Sequence, residues 1–537
     1  MISGAFEGLG QTLRKIAYSN ALYQISLRGD IPDQLDAIPR DPWPGEVDRG
    51  RLMIDGEMTY AGLPQSDDPR QWSSEALNNE PWVFWAHGFA WLRDLRSLGG
   101  NRARRKARDL TALWRMHFDR WHPMIWRPDI VGKRIASILG MHDFFLASAD
   151  DGFRYETFAM IRRQAGHLIR TYDRACPPGT ARLVALRGMI YATLSFKDLR
   201  DHLPSALDHL KQELKQQILA DGSHISRCPS AHVRALRCVI DIRHALSTAG
   251  QTAPDHLSQV IRAMMPVMGF YRHGDGHLAL FNGSDYGSST MMDLMRNHAR
   301  SGLNTLIRLP HGGFERITSG SSLLLFDSGS QPPAPYNVRT HRGPLAFEFS
   351  HRKERLIVNC GYLCAGPHAS VLQPLLCQTA AHSTATIDHC CPAAPPRSKI
   401  ERFGTAHEPM VRGRHKGYGE QFGLIHKRQL ALIDQGLTLD GRDTFEGEIG
   451  HTITLRFHLH PDCQALITGQ GASVLIKTKN GDGWRFRAEG YTLRLEESIY
   501  APAPDRGPAK CEQIVIETAH EKECTKINWR FSREQKD

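Results

Sequence analysis

The chain has 537 residues, more than one hydrophobic core of ordinary size encloses, so at least two domains are expected. With 41% hydrophobic and 23% charged residues it is not a wholly disordered chain, and eleven scattered cysteines without a C-x-x-C pair argue for reduced thiols over a disulfide framework. The net charge of +10 favours polyanionic partners: acidic polysaccharide, nucleic acid or anionic membrane.

Residues 1–75 read as an N-terminal extension. An amphipathic helical pattern comes first, and a segment punctuated by Pro39 and Pro44 then predicts an extended strap laid over a neighbour. Neither a signal-peptide pattern nor an apolar run long enough to span a bilayer is visible. The cytoplasm is therefore the expected compartment, with the periplasm or cell envelope as the alternative for a protein that meets extracellular glycans.

From residue 76 to about 308 the apolar period is helical. Trp82, Phe84, Trp85, Phe89 and Trp91 open it, as a core-facing helix or as rings available for stacking on sugars. The basic run Asn101–Lys106 reads as a solvated helix face. Stripes at three-and-four spacing predict helices over 155–173, 181–199 and 205–220, and another from Pro229 to Gly250. Helices in series with short turns predict paired packing, as in a toroid or solenoid. Between two of them lies D-G-S-H-I-S-R-C-P-S-A-H (221–232), which collects His224, Arg227 and His232 around Gly222 and Pro229.

After about residue 309 the period becomes that of strands. Gly320–Asp327 reads as a buried strand, and Pro344–Ser350 alternates with Leu345, Phe347 and Phe349 on one face. In His451–His460 the residues Ile453, Leu455, Phe457 and Leu459 point one way, and Thr454, Arg456, His458 and His460 the other. Asn480–Gly483 predicts a hairpin turn. Many strands in series without helices predict an antiparallel β-sandwich over 309–537.

Several stretches carry a resemblance: HGFAWLRDLRSLGG (87–100), DGSHISRCPS (221–230), YRHGDGHLALFNG (271–283), ERLIVNCG (354–361), AAHSTATID (380–388) and RFHLHP (456–461). Through them the chain resembles the heparinase II/III-like proteins, which include polysaccharide lyases. The resemblance implies an incomplete α/α toroid followed by a C-terminal antiparallel β-sandwich. It also implies β-elimination on an acidic, uronate-containing polysaccharide. Such chemistry needs the substrate carboxylate neutralised, a base at C5 and a proton for the leaving C4 oxygen.

His224 and Arg227 match the place where the family sets polar residues beside that carboxylate. Three apart, they would share a face if the segment were helical, and an Arg suits bidentate carboxylate binding. His382 matches the family's sheet-domain histidine, a candidate base or acid. The family's catalytic tyrosine has no plain counterpart. Tyr286 is the nearest, with Tyr271 and His277 as alternatives. Some members hold a structural zinc, for which His458, His460 and Asp388 are the candidate ligands here. No zinc-finger spacing, phosphate loop or aromatic-basic RNA motif supports a nucleic-acid partner. The rival reading is a protein of the same fold that binds acidic glycan, or assembles envelope polysaccharide, without cutting it.

Overall fold

The computed structural model describes residues 17–73, 76–77, 79–299, 306–364, 369–393, 398–503 and 506–534. The chain folds as two compact units. One comprises Met1–Gln217, Arg234–Arg262 and Asp293–Arg300, and the other Ile218–Val233, Ala263–Met292 and Ser301–Asp537. The first part of the N-terminal amphipathic pattern lies outside the described residues.

The first unit is helical. Its long elements are Gly100–Phe118, Pro128–Gly140, Asp151–Ala175, Thr180–Ser195 and Leu203–Gln217, the last three close to the spans expected at 155–173, 181–199 and 205–220. Asp150 caps the third of these by accepting a hydrogen bond from the Phe153 N–H, and Pro128 opens the second at a position needing no amide donor. Gly132 and Gly188 explain how two helices pack so closely. A Cβ on Gly188 would stand 2.1 Å from the Gly132 carbonyl oxygen, so only hydrogen fits at that crossing. The tryptophans at 82, 85 and 91 are buried among other rings and belong to the core, because their indoles fill it. The strap is real: Trp43 is fully buried and donates from its indole N–H to Asp241 over 2.7 Å.

Among the described residues the second unit is built on three antiparallel sheets of eight, four and five strands. Phe326 and Phe347 of the five-stranded sheet, Leu455 and Phe457 of the four-stranded sheet, and Leu430 and Trp529 of the eight-stranded sheet meet in one apolar core. The hairpin at 480–483 joins Ser473–Lys477 to Gly483–Ala488, and Gly481 supplies the positive φ its turn requires. In His451–His458 the expected alternation is only partial. Thr454 and His458, assigned to the polar face, are buried because that face is covered too. Among the described residues no helix is long and apolar enough to cross a membrane.

Candidate active site

The loop 221–228 belongs to the sheet-bearing unit and is not helical. His224 forms an isolated bridge with Ile218, and Arg227 has φ 58. The helical turn expected to set His224 and Arg227 on one face is therefore absent, because Gly222 at φ 82 and Arg227 itself turn the chain. Asp221 anchors the turn. One of its carboxylate oxygens accepts from the N–H groups of His311 (2.7 Å) and Gly312 (2.8 Å), and the other from the N–H and hydroxyl of Ser223.

Arg227 is buried, and its guanidinium is committed inside the unit. Nε donates to the Gly312 carbonyl (2.7 Å), and the terminal nitrogens donate to the carbonyls of Ser330 (2.9 Å) and Gly313 (3.2 Å) and to Asp327. A carboxylate clamp needs those same donors, so the sequence reading of Arg227 is corrected. The residue pins the loop to the sheet. His224 is buried as well; its Nδ1 accepts from the Ser226 N–H (3.2 Å) and lies 2.8 Å from that hydroxyl.

His382 lies in extended backbone just after a short turn (Thr379–Ala381) and is fully enclosed. Its Nδ1 is 3.1 Å from the side-chain oxygen of Asn359. The Asn359 amide donates to the Glu348 carboxylate (3.1 Å), and this fixes which way the amide faces. Its oxygen must meet an N–H, so Nδ1 of His382 carries the proton and Nε2 keeps its lone pair. That Nε2 is buried with no hydrogen-bond partner among the described residues. Burial, with the neighbouring His341 and His458 adding to it and the Leu376 carbonyl opposing it, holds the His382 imidazole neutral, far below the usual histidine range.

Glu348 is the hub of this network. One oxygen accepts from the Leu280 N–H (2.8 Å) as well as from Asn359; the other lies 3.0 Å from Nε2 of His273, whose Nδ1 lies 2.8 Å from the Ser350 hydroxyl. Burial alone would raise the Glu348 carboxyl, but His273 and Arg355 outweigh it and keep it ionised.

On its other side the His382 ring stacks on His341, with centroids 4.3 Å apart. The two nitrogens of His341 face the backbone N–H groups of Asn282 (3.1 Å) and Gly283 (3.0 Å); a neutral ring accepts from one of them, and protonating it would set donor against donor at both. Burial pushes its pKa down to about 3. Asn282 completes the frame, donating to the Arg227 carbonyl (3.1 Å) and accepting from the His341 N–H (3.1 Å). The structure thus connects Arg227 to His382 through Asn282 and His341.

Tyr286 is half-buried. Its ring meets His277 edge-on at 4.7 Å, Arg506 lies over it at 5.3 Å, and it packs beside Leu280, Val358 and Tyr500. Tyr271 is fully buried against Phe314, with burial raising its phenol far above the usual range, so it is a core residue. His277 spends Nδ1 on the Gly287 carbonyl (2.9 Å).

The proposed zinc ligands do not converge. His458 lies 2.8 Å from the Ser498 hydroxyl at Nδ1 and 3.0 Å from the Ala380 carbonyl at Nε2. His460 sits beyond the strand near Asp462 (3.8 Å), and Asp388 holds His451 (2.8 Å) and the Thr452 N–H. Strand alternation fixed only the side each residue leaves from, and not its partners. Among the described residues no group of three or more potential ligands stands together.

Asn359, His341, Glu348 and Asn282 escaped the sequence reading. Three left a trace: Asn359 and Asn282 lie in the quoted stretches ERLIVNCG and YRHGDGHLALFNG, and Glu348 interrupts the aromatic pair Phe347 and Phe349, where a carboxylate must be paired if the strand is buried.

The chain matches the family model for the heparinase II/III N-terminus over residues 116–301 and that for the heparinase II/III-like C-terminal domain over 302–530. The FtsZ-localized protein C of Caulobacter vibrioides is 28% identical over 536 residues, covering 94% of this chain and 91% of that protein. The fold is similar to the heparan sulfate lyase HepC of Pedobacter heparinus (TM-score 0.63, 16% identity, 99% of this chain and 92% of that one). It is also similar to a heparinase III (TM-score 0.70, 13% identity, 86% and 78%) and to the chondroitin AC lyase of Streptomyces coelicolor (TM-score 0.54, 9% identity, 91% and 78%).

Proposed function

The chain belongs to the heparinase II/III-like family, and from that membership we propose that it is a lyase cleaving an acidic, uronate-containing polysaccharide by β-elimination. The observation that carries this reading is His382: a buried, neutral imidazole whose Nδ1 is held by Asn359 and whose Nε2 has no hydrogen-bond partner within 3.5 Å among the described residues. Such a nitrogen is a proton acceptor prepared before substrate arrives.

In the proposed reaction Nε2 takes the C5 proton of the uronate. The electron pair left at C5 forms the C4–C5 double bond, and the C4–O bond breaks. The departing oxygen takes a proton, for which the Tyr286 hydroxyl is the candidate donor. His224 is assigned to the carboxylate on which negative charge gathers. Arg227 enters only as the anchor of Asn282, and through it of His341. Incubation of the protein with heparin, heparan sulfate, chondroitin, alginate and glucuronan, followed by ultraviolet absorbance of the unsaturated uronate, tests this. One substrate should give a rise that His382→Ala abolishes; a flat trace on every polymer counts against the lyase.

The alternative is a non-catalytic protein of the same fold that binds acidic glycan at the cell envelope. It is favoured by one finding: the relative that this chain matches along nearly its whole length is named for its localisation with FtsZ. Retained binding without any new double bond would select it.

A further inference from the structure

The sheet-bearing unit holds a small polar cavity outside the His382 network. Its volume is about 200 Å³, and Arg308, Gly313, Glu315, Ser328, Ser398 and Ile400 stand in its walls. Antiparallel pairing builds it. Arg308, on Arg308–Leu309, lies directly opposite Glu315, on Phe314–Ser319, so the two side chains leave the same face. Gly313 closes the turn between those strands at φ 69, where a Cβ would stand 2.3 Å from the Gly329 Cα. The Ser398 N–H donates to the Ser328 carbonyl (3.1 Å), which brings the strand Lys399–Gly404 alongside.

The polar groups of this cavity are incompletely paired. Glu315 is buried, and its Oε2 accepts from Nη1 of Arg402, on the same strand as Ile400, at 2.7 Å. Its Oε1 lies 4.0 Å from Nε of Arg308, too far for a hydrogen bond, and no described residue donates to it. The Arg308 side chain is 54% exposed, and among the described residues its guanidinium makes no hydrogen bond. Ser398 is only 6% exposed, yet its hydroxyl is buried without a hydrogen-bond partner among the described residues.

A ligand here must answer both signs at once. An oxyanion alone would face the Glu315 carboxylate, which can only accept, and a cation alone would face Arg308, which can only donate. The 4.0 Å between Arg308 and Glu315 is too wide for a direct bond, and it suits a molecule whose carboxylate and ammonium are neighbours. The carboxylate then meets the guanidinium while the ammonium donates to Oε1, so that both new contacts are charge-assisted. We propose that the cavity binds a free α-amino acid in this way, with the Ser398 hydroxyl as a further partner. Arg308 and Arg402 together outweigh Glu315, so an acidic amino acid fits best.

The test uses the full chain. Glycine, L-glutamate and L-lysine are titrated calorimetrically into wild type. Glycine betaine, which keeps both charges but has no N–H to give, and glucuronate are the remaining arms. L-Glutamate is expected to bind tightest and glycine next, with no heat from betaine or glucuronate at the same concentrations. Arg308→Ala, at an exposed side chain, should weaken glutamate binding about tenfold or more and leave the thermal midpoint level. Glu315→Gln should weaken it too, read against its own midpoint because Arg402 loses an ionic partner; if that variant does not fold, Arg308→Ala decides alone. Absence of heat with every amino acid overturns the proposal, as does betaine binding as tightly as glycine, lysine binding more tightly than glutamate, or unchanged affinity in Arg308→Ala. Glucuronate binding in place of the amino acids overturns it as well. None of these outcomes depends on whether the chain cuts a polysaccharide, so this site and the lyase fail separately.

Discussion

Two polar centres, one in each unit, handle charge in opposite ways. In the sheet-bearing unit the fully buried Asp443 accepts from Arg428 (2.8 and 3.1 Å) and from the Trp529 indole (2.8 Å), and lies 2.6 Å from His426. Arg428 donates on to the carbonyls of Leu345 (3.0 Å) and Ser383 (2.6 Å). In that centre each Arg428 nitrogen and each Asp443 oxygen has a partner. The helical unit instead keeps Lys133 half-buried over the Phe84 ring, without an acceptor among the described residues. A satisfied network fixes structure; an unsatisfied group lowers stability. His382 combines the two, with Nδ1 satisfied through Asn359 and Nε2 left open.

Breaking the satisfied centre should give the largest effect. Asp443→Ala leaves the Arg428 charge buried and unpaired, and is expected to cost about 3–5 kcal/mol, read from denaturant unfolding of the sheet-bearing unit. Since Arg428 also holds the carbonyl of Ser383, next to His382, activity should fall before the fold is lost.

Glu348→Gln comes next, at about 1.5–3 kcal/mol. An amide at 348 can donate to the Asn359 oxygen, which frees Asn359 to turn and lets the proton of His382 move to Nε2. An activity loss larger than the stability loss explains would identify Glu348 as a positioning residue, and Glu348→Asp should recover part of it.

Acid should weaken the fold gradually. His341 titrates at about 3 and His458 at about 4, because burial opposes the imidazolium. Near neutral pH each is uncharged in both folded and unfolded states. Below about pH 6.5 the unfolded chain takes up protons that the folded one refuses. Stability should therefore fall with pH from there down to about 4, by roughly 1.4 kcal/mol per unit for each such histidine. Unfolding curves between pH 7 and 4 check the slope, and His458→Gln should make it shallower. The smallest effect belongs to the open centre: Lys133→Met should raise the thermal midpoint by a degree or two, since it removes a half-buried amine that has no acceptor among the described residues and keeps the packing over Phe84.

Helix and strand periods made the architecture legible in the sequence, and the 221–232 stretch and His382 stood out by composition. Partners did not, because they are set across long separations. Arg227 meets carbonyls at 312, 313 and 330, and His382 meets Asn359 and His341. An Arg three residues from a His reads equally as a clamp or an anchor until those carbonyls are seen. His458 and His460 form a chelating pair only on an open strand face, and His458 is buried.

In the proposed reaction His382 is set as a neutral base by Glu348 and Asn359 before substrate binds. This is tested most directly by long-range proton–nitrogen NMR of histidine-labelled protein, with the His382 signal assigned by its loss in His382→Gln. A neutral ring with the proton on Nδ1 is expected, unchanged as the pH falls through the usual histidine range. A proton on Nε2, or an imidazolium appearing within that range, would contradict it.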